Sequence, residues 1–227
     1  MDLSKVWLVI AAFNEGGMIT DVIKHAVATF PNIVVVDDGS SDTTATLACE
    51  AGATVICHPV NLGQGAAIQT GIDFALMSGA DIIVTFDADG QHRIEDALTL
   101  ARAIDQNEAD IVCGSRFLGV ESTTMPATKR LTLKLAALFT RFSSGVPVTD
   151  AHNGLRAISR SAAQKIRITQ NRMAHASEII SQIKSLKLRY KEYPVQILYT
   201  EYSIAKGQKI SNAINILIDL LFGRISK

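Results

Sequence analysis

The sequence predicts an α/β fold, in which a mainly parallel sheet is flanked by helices within a single domain of 227 residues. Three observations carry this prediction. Short apolar runs alternate with segments of helical periodicity four times before a fifth apolar run. The runs are apolar at nearly every position, as in strands that are covered on both faces. Polar residues follow four of the runs, and in a parallel sheet those residues share the edge where ligands bind.

Composition narrows the functional class. Hydrophobic residues make up 48% of the chain, which indicates a globular protein with a substantial core. Lys and Arg number 22, as do Asp and Glu, so no net positive field favours nucleic acid. Three cysteines without metal-ligand spacing indicate small core residues in a reducing compartment. The sequence has neither a signal-peptide pattern nor the ~20 apolar residues that span a bilayer, so we expect a cytoplasmic protein. Peripheral contact with the cytoplasmic membrane face stays open.

The individual elements follow from apolar runs and from spacings of three and four residues. We predict strands over 6–12, 33–36, 54–57, 82–86 and 110–113. Helices are predicted over 18–29, from Ser41 or Asp42 to about Glu50, over 66–77, and over about 94–104. In the less regular second half we predict a loop over 117–127, a helix over 129–143, a short strand over 155–158, a helix over 175–186 and strand-like residues over 188–199. Four apolar residues are expected on the buried face of the helix over 129–143: Leu131, Leu135, Leu138 and Phe142.

The most informative strand end is Asp87-Ala88-Asp89-Gly90-Gln91-His92. Alternate side chains of a strand point the same way, so Asp87 and Asp89 converge if the extended geometry persists. Two such carboxylates repel each other unless a cation lies between them, and Mg²⁺ usually binds a few carboxylates together with substrate phosphates. Taken alone, this stretch is equally well explained as a polar turn. The other polar strand ends, Asn14-Glu15, Asp37-Asp38 and Ser115-Arg116, favour a binding site.

Residues 209–222 are apolar nearly all round, and the predicted helix, at ~1.5 Å per residue, is about 20 Å long and too short to cross a membrane. We therefore separate residues 209–227 from a domain over 1–208. One interpretation is a helix that packs in a dimer or against the core. The other is a helix that lies in the membrane interface, anchored by basic flanking residues.

Four motifs together resemble the family 2 glycosyltransferases. They are Ala11-Ala12-Phe13-Asn14-Glu15, Val36-Asp37-Asp38-Gly39-Ser40-Ser41-Asp42-Thr43-Thr44, Asn61-Leu62-Gly63-Gln64-Gly65 and the Asp87–His92 stretch. The similarity runs from about residue 6 to 210. It is strongest to the dolichyl-phosphate mannose synthase and bacterial polyprenyl-phosphate glycosyltransferase branch. The resemblance implies the Rossmann-like GT-A fold and a nucleoside diphosphate sugar as donor, with either GDP or UDP as the nucleotide.

The resemblance also implies roles for individual residues. It assigns Ala11, Phe13, Glu15 and Val36 to the nucleoside pocket and Asp38 to the edge of the base. It assigns Asp87, the backbone of Ala88 and Asp89 to ribose, diphosphate and metal, with Gln91 helping to hold Mg²⁺ or Mn²⁺. Arg116 and Arg130 are implied phosphate contacts, and Lys206 and Lys209 are implied to close over the diphosphate. Asp150, Asn153-Gly154 and Arg156 match the acceptor motif, although relatives often have Ser at the position of Asn153. Many relatives also have Pro at Ala11 or Ala12 and Tyr at Phe13.

The implied reaction is metal-dependent, inverting transfer of a sugar to a polyprenyl phosphate, in which Asp89 and Arg116 stabilise the leaving diphosphate. A lipid phosphate is already ionised at neutral pH and needs no general base. If the acceptor is instead a sugar hydroxyl, a base is required, and Asp150 is the first candidate. A nucleotide-binding module without catalysis is the third hypothesis. His92 and His175 are expected to be structural, and a homodimer is left open.

Overall fold

A computed structural model describes residues 1–119, 127–171 and 174–198. The elements alternate as the sequence predicts, with strands β1 (Val6–Ala12), β2 (Asn32–Asp37), β3 (Thr54–Cys57), β4 (Ile82–Asp87), β5 (Ile111–Ser115), β6 (Arg156–Ser159) and β7 (Tyr190–Pro194). The helices are α1 (Ile19–Val27), α2 (Thr44–Glu50), α3 (Gln64–Met77), α4 (Ile94–Asp105), α5 (Ala127–Ser144), α6 (Arg160–Ala163) and α7 (His175–Ser185). The predicted residues Lys206 and Lys209 and the segment 209–227 lie outside the described residues.

The described strands form one sheet in the order β3-β2-β1-β4-β6-β5-β7. Only β6 runs antiparallel to its neighbours β4 and β5, so the predicted mainly parallel sheet is confirmed. Arg156 pairs with Thr85 at the end of β4. The start of β6 therefore lies beside the ends of the parallel strands, and the residues that precede it reach the carboxyl edge of the sheet.

Two apolar clusters cover the two faces of the sheet. Along β1, Leu8 and Ile10 belong to the cluster that includes α1, α2 and α4, whereas Val9 belongs to the cluster that includes α3, α6 and α7. This alternation is the two-residue period of a strand, and coverage of both faces explains why the central strands β1, β2 and β4 are apolar at nearly every position. Helices on both faces leave the carboxyl edge as the open part of the sheet.

The predicted burial of the helix over 129–143 is wrong. Its four large apolar residues are exposed: Leu131 by 61%, Leu135 by 57%, Leu138 by 61% and Phe142 by 92%. The buried side of α5 instead carries the small residues Ala137, Thr140 and Ser144, and α5 packs against α7. Small side chains allow a close approach of the two helices, and the bulky residues on the opposite side are therefore left outside.

Two further expectations are tested by the described residues. Cys113 is buried as expected, but Cys49 and Cys57 are exposed rather than in the core, and all three thiols are free. Within the described ranges, no helix combines the length and the apolar character that a bilayer crossing requires.

Candidate active site

The end of β4 is held by contacts from three separate segments. One carboxylate oxygen of Asp87 lies 2.8 Å from His92 Nε2, and the other lies 3.4 Å from the side-chain amide of Gln64 at the start of α3. A Cβ added to Gly154 would lie 2.4 Å from both carboxylate oxygens of Asp87, so only glycine fits there. Asp87 thus joins the β4 loop, the amino terminus of α3 and the turn before β6.

The charge of Asp87 is compensated by its surroundings. Burial alone would raise the pKa of Asp87, but the charge and hydrogen bond of His92, followed by the charges of Arg156 and His175, lower it below the usual value. Because an ionised carboxylate only accepts hydrogen bonds, His92 donates from Nε2. His92 Nδ1, the other ring nitrogen, is buried and has no hydrogen-bond partner. The expectation that His92 is structural fits this role in positioning Asp87.

Asp89 lies in the opposite electrostatic situation. Burial and then the negative charge of Asp87 raise the pKa of Asp89 to about 6, and the charge of Glu15 adds to this effect. The backbone N–H of Gln91 donates to one carboxylate oxygen at 3.0 Å. None of the ion pairs among the described residues involves Asp89. The uncompensated negative charge makes this position suited to a cation.

The predicted metal ligands Asp87, Asp89 and Gln91 are all at this edge, but they do not form a complete cage. Within the described residues, no group of three His, Cys, Asp or Glu side chains is arranged to hold a metal ion. One carboxylate oxygen of Asp87 is already hydrogen-bonded to His92. The residues therefore fit a hard cation that takes Asp89 as its protein carboxylate and most other ligands from elsewhere, as Mg²⁺ commonly does.

The loops after β1 and β2 are fastened to each other. The backbone N–H of Asn14 donates to Ser40 Oγ at 2.8 Å, and the N–H of Ser41 donates to the side-chain oxygen of Asn14 at 2.9 Å. The N–H of Glu15 donates to Thr44 Oγ1 at 2.8 Å. Asn14 has a positive φ of 53°, which asparagine tolerates better than most residues. These bonds fix the loop that carries Glu15, whose negative charge acts on Asp89.

The residues predicted to line the nucleoside pocket differ in how buried they are. Phe13 is 43% exposed at this edge, and Ala11 and Glu15 are half-buried there. The structure does not bring the side chain of Val36 to the edge, because it is fully buried in the cluster under α3. Ala88 is also buried.

Asp38 is buried, and both of its carboxylate oxygens have hydrogen-bond partners. One of its carboxylate oxygens lies 2.7 Å from His58 Nδ1 and accepts from the N–H of Leu62 at 2.9 Å. The other accepts from the N–H of Gly63 at 2.7 Å. Asp38 therefore anchors the loop over 58–63, and its predicted contact with the base stays a prediction.

Arg116 and Asp150 form the second half of the site. Arg116 Nε lies 2.5 Å from one carboxylate oxygen of Asp150, which also accepts from the N–H of Arg116 at 3.2 Å. Sequence reasoning missed Glu192 on β7, whose carboxylate accepts from the N–H of Thr149 at 2.8 Å and of Asp150 at 3.2 Å. Glu192 is about forty residues away in the chain, and no local pattern marks it.

The turn before β6 carries an unusual concentration of unpaired polar atoms. Three buried side-chain atoms of this turn, Asp150 Oδ1, His152 Nε2 and Asn153 Nδ2, have no hydrogen-bond partner, and neither has Nη1 of Arg156, the first residue of β6. Buried polar atoms are nearly always paired in native proteins, so such a group marks a place where a ligand or water completes the bonding. Burial lowers the pKa of His152, and Arg156 and Arg116 lower it further against the opposing effect of Asp150. His152 is thus neutral near pH 7.

The remaining predicted phosphate contact, Arg130, is half-buried near the start of α5. Asp87, Asp89, Glu15 and Gln91 thus lie on one side of the edge, and Arg116, Asp150 and Asn153 lie in the segments on the other. The contact between Asp87 and Gly154 connects the two sides. This arrangement can hold a cation and an anionic ligand next to a second, polar ligand.

Comparison with known proteins agrees with this arrangement. Residues 7–167 match the model of glycosyl transferase family 2. An uncharacterized protein of Methanocaldococcus jannaschii is 38% identical, over 97% of this chain and 93% of its own. The UDP-N-acetylglucosamine–dolichyl-phosphate N-acetylglucosaminyltransferase of Methanococcus voltae is 34% identical, over 98% of this chain and 97% of its own.

A solved structure shares the fold at low identity. Glucosyl-3-phosphoglycerate synthase from Mycobacterium tuberculosis, crystallised with Mn²⁺ and UDP-glucose, superposes with a TM-score of 0.71 at 18% identity. The superposition covers 98% of this chain and 78% of that one. The expected GT-A architecture is therefore confirmed. With the family match over most of the described sheet, the chain belongs to glycosyl transferase family 2 and is a glycosyltransferase.

Proposed function

We propose that the protein transfers a sugar from a nucleoside diphosphate sugar to a polyprenyl phosphate, with inversion at the anomeric carbon and with a divalent cation. The observation that carries the proposal is the contact of Asp87 with Gly154, which joins an acidic half-site to a half-site with unpaired polar groups. The name of the relative from Methanococcus voltae, which acts on dolichyl phosphate, supports the acceptor class.

The acidic half-site suits the donor. Asp89 and Gln91 would hold Mg²⁺ or Mn²⁺, and the diphosphate would supply further oxygen ligands. When bound, the cation neutralises the charge that develops on the leaving nucleoside diphosphate. Asp87 stays ionised and orients the loop, since His92 keeps the pKa of its carboxylate low. Ala11, Phe13 and Glu15 would line the nucleoside pocket, with Lys206 and Lys209 closing over the diphosphate and Arg130 adding a phosphate contact.

The second half-site suits an anionic acceptor better than a neutral one. Arg116, which the family resemblance makes a phosphate contact, would here also face the acceptor phosphate, and Asp150 holds its guanidinium in place at 2.5 Å. A phosphate oxygen of the acceptor attacks the anomeric carbon, a new carbon–oxygen bond forms, and the bond to the diphosphate breaks. An ionised phosphate needs no proton removed, so Asp150 acts as a positioning residue for Arg116 in this reaction.

One observation favours a second candidate. Asp150 Oδ1 is buried and has no partner, and a general base for a sugar hydroxyl would need such a free oxygen. Transfer to a hydroxyl in glycan assembly is therefore the alternative, in which Asp150 acts as a catalytic base.

The two candidates differ in where the label from the donor ends up. Purified protein is incubated with radiolabelled UDP-N-acetylglucosamine, UDP-glucose or GDP-mannose, with Mg²⁺ or Mn²⁺, and with or without polyprenyl phosphate, and then extracted with organic solvent. We expect label in the organic phase only with polyprenyl phosphate, and a large loss with EDTA or with Asp89→Asn. Label that stays in the aqueous phase with every donor contradicts the lipid acceptor. Transfer that EDTA and Asp89→Asn leave unchanged contradicts the metal site.

A further inference from the structure

We propose that Glu192 on β7 is a positioning residue for Arg116, which it holds through two separate paths of hydrogen bonds. One path runs through the backbone and side chain of Asp150. The other runs through hydroxyl groups to the two residues that flank Arg116 in the chain. The inference deepens the proposed function and rests on it, because it is there that Arg116 is assigned to a phosphate.

The sheet directs Glu192 toward the turn before β6. Glu192 is half-buried and pairs in register with Cys113 of the parallel neighbour β5. Residues paired in this way point to the same face of a sheet. Cys113 belongs to the apolar cluster on the face covered by α3 and α7, and Val148 of the turn belongs to the same cluster. The side chain of Glu192 therefore emerges on the face where the turn lies.

The carboxylate of Glu192 accepts from three donor groups of the turn. The N–H of Thr149 lies 2.8 Å from Oε1 and 3.0 Å from Oε2, and the Thr149 hydroxyl donates to Oε2 at 2.7 Å. The N–H of Asp150 donates to Oε1 at 3.2 Å. This set requires a side chain that accepts on both oxygens and donates on neither, which is a property of a carboxylate. Glu192 thus fixes the backbone at Thr149 and Asp150.

The first path continues from this backbone to the guanidinium group. Asp150 uses one oxygen, Oδ2, for both of its bonds to Arg116, at 2.5 Å to Nε and 3.2 Å to the backbone N–H. The direction of these bonds depends on how the backbone presents the Asp150 side chain. None of the ion pairs formed by residues 1–119, 127–171 and 174–198 involves Glu192. Its part in this arrangement is therefore hydrogen bonding to the turn.

The second path is a chain of hydroxyl groups with a fixed direction. Because the Thr149 hydroxyl gives its one proton to Glu192, its oxygen accepts in the bond of 2.7 Å that joins it to Ser115 Oγ. Ser115 is thus the donor in that bond, and its own oxygen accepts from the N–H of Phe117 at 3.2 Å. Ser115 and Phe117 lie on either side of Arg116 in the chain. The carboxylate of Glu192 therefore orders the backbone from which the Arg116 side chain projects.

The test follows the Nε–H signal of Arg116 in heteronuclear NMR spectra of the full chain without substrates. Arg116→Lys identifies the signal by its loss. In the wild type we expect slow exchange of this proton with water, because Asp150 holds it. Glu192→Gln should speed the exchange at least about tenfold, as expected when one hydrogen bond to a charged group is lost. Thr149→Val, which cuts the hydroxyl chain, should also speed it, and Thr149→Ser should restore the slow exchange.

Glu108→Gln is the matched control. Glu108 accepts from Lys191 Nζ and from the Tyr193 hydroxyl, each at 2.8 Å, and both donors belong to β7 like Glu192. The substitution removes the same charge and two contacts with the same strand, but none of these contacts reaches the turn before β6. The exchange of the Arg116 proton should stay at the wild-type rate.

The transfer assay gives a second measurement. Glu192→Gln should lower kcat/KM for transfer to polyprenyl phosphate about 10–100-fold, since small displacements at reacting groups cost up to about that much. In the Asp150→Asn background, the same substitution should cost much less than it does alone, because residues of one hydrogen-bond network are not additive. Glu108→Gln should transfer sugar as the wild type does.

The proposal is overturned if the Arg116 proton exchanges at the wild-type rate in both Glu192→Gln and Thr149→Val. It is also overturned if Glu108→Gln speeds the exchange equally, or if the losses in rate from Glu192→Gln and Asp150→Asn simply multiply. Should Glu192→Gln not fold, the pair Thr149→Val and Thr149→Ser decides the outcome. A wild type that transfers no sugar to polyprenyl phosphate would refute the proposed acceptor instead, and the exchange rates would still decide the role of Glu192.

Discussion

Replacing Gly154 by alanine tests whether the two half-sites depend on their contact. The added methyl carbon would lie 2.4 Å from both carboxylate oxygens of Asp87 and 2.6 Å from its Cγ. Ordinary contacts of this kind are about 3.4 Å or longer, so the two groups must separate by about 1 Å. A displacement of this size at reacting groups costs about 10²-fold in rate. We expect Gly154→Ala to lower kcat/KM for transfer about 100-fold, while overpacking lowers the free energy of unfolding by about 1–3 kcal/mol.

Gly71→Ala is the matched control. A Cβ at Gly71 would lie 2.3 Å from Val9 Cγ1, a similar overlap, but in the core under α3. It should lower the melting temperature comparably and leave the kcat of the folded protein nearly unchanged. Both variants are compared by initial rates of label transfer to the organic phase and by thermal unfolding. If Gly154→Ala transfers at the wild-type rate, or if Gly71→Ala loses as much rate, the contact with Asp87 has no special role in catalysis.

Three further predictions concern the charged groups of the site. The pKa of Asp89 is raised from 3.8 to about 6. In EDTA, its ionisation should therefore cost the wild type at most about 3 kcal/mol in free energy of unfolding as the pH rises from 4 to 6. Asp89→Asn should remove this loss, and the prediction fails if urea unfolding shows the same pH dependence for both proteins. His92→Ala removes the donor to Asp87 and should weaken activation by Mn²⁺ about 10–100-fold, as loss of a supporting hydrogen bond does at metal sites; an unchanged Mn²⁺ titration would argue against a positioning role. If Asp150 only orients Arg116, Asp150→Asn should keep more than about 1% of kcat and the pH profile of the wild type. If Asp150 is a general base, the variant should lose about 10²–10⁴-fold in kcat, and the acidic limb of its pH profile should disappear.

The sequence indicated the position of the acidic half-site around Asp87 better than that of the half-site around Asp150, for a physical reason. The strands that end at Ala12 and Asp87 are local apolar runs joined by helices, so handedness and direction place the polar residues that follow them at one edge. The position of β6 between β4 and β5 depends on pairing between residues about seventy positions apart, such as Thr85 and Arg156. No local periodicity encodes such a pairing. The contact of Gly154 with Asp87 follows from it and could not be foreseen.

The error at α5 has a different cause. Periodicity correctly groups Leu131, Leu135, Leu138 and Phe142 on one side of a helix, but it does not say which side faces the core. That choice was made by packing with α7, which accommodates the small side of α5 around Ala137. Asp38 shows the same limit, since its motif does not reveal that His58 and the N–H groups of Leu62 and Gly63 engage it.

The reversed direction of β6 has a consequence for engineering this enzyme. The segment 145–155 reaches the carboxyl edge as one continuous loop. It is fixed at one end by α5 and at the other by the pairing of β6 with β4 and β5. The acidic half-site, to which we assign the donor, is built from other segments of the chain. We therefore expect that replacing this loop by that of a relative, with the glycine at position 154 retained, changes the acceptor that receives the sugar. The preference for the nucleotide should stay that of the original protein.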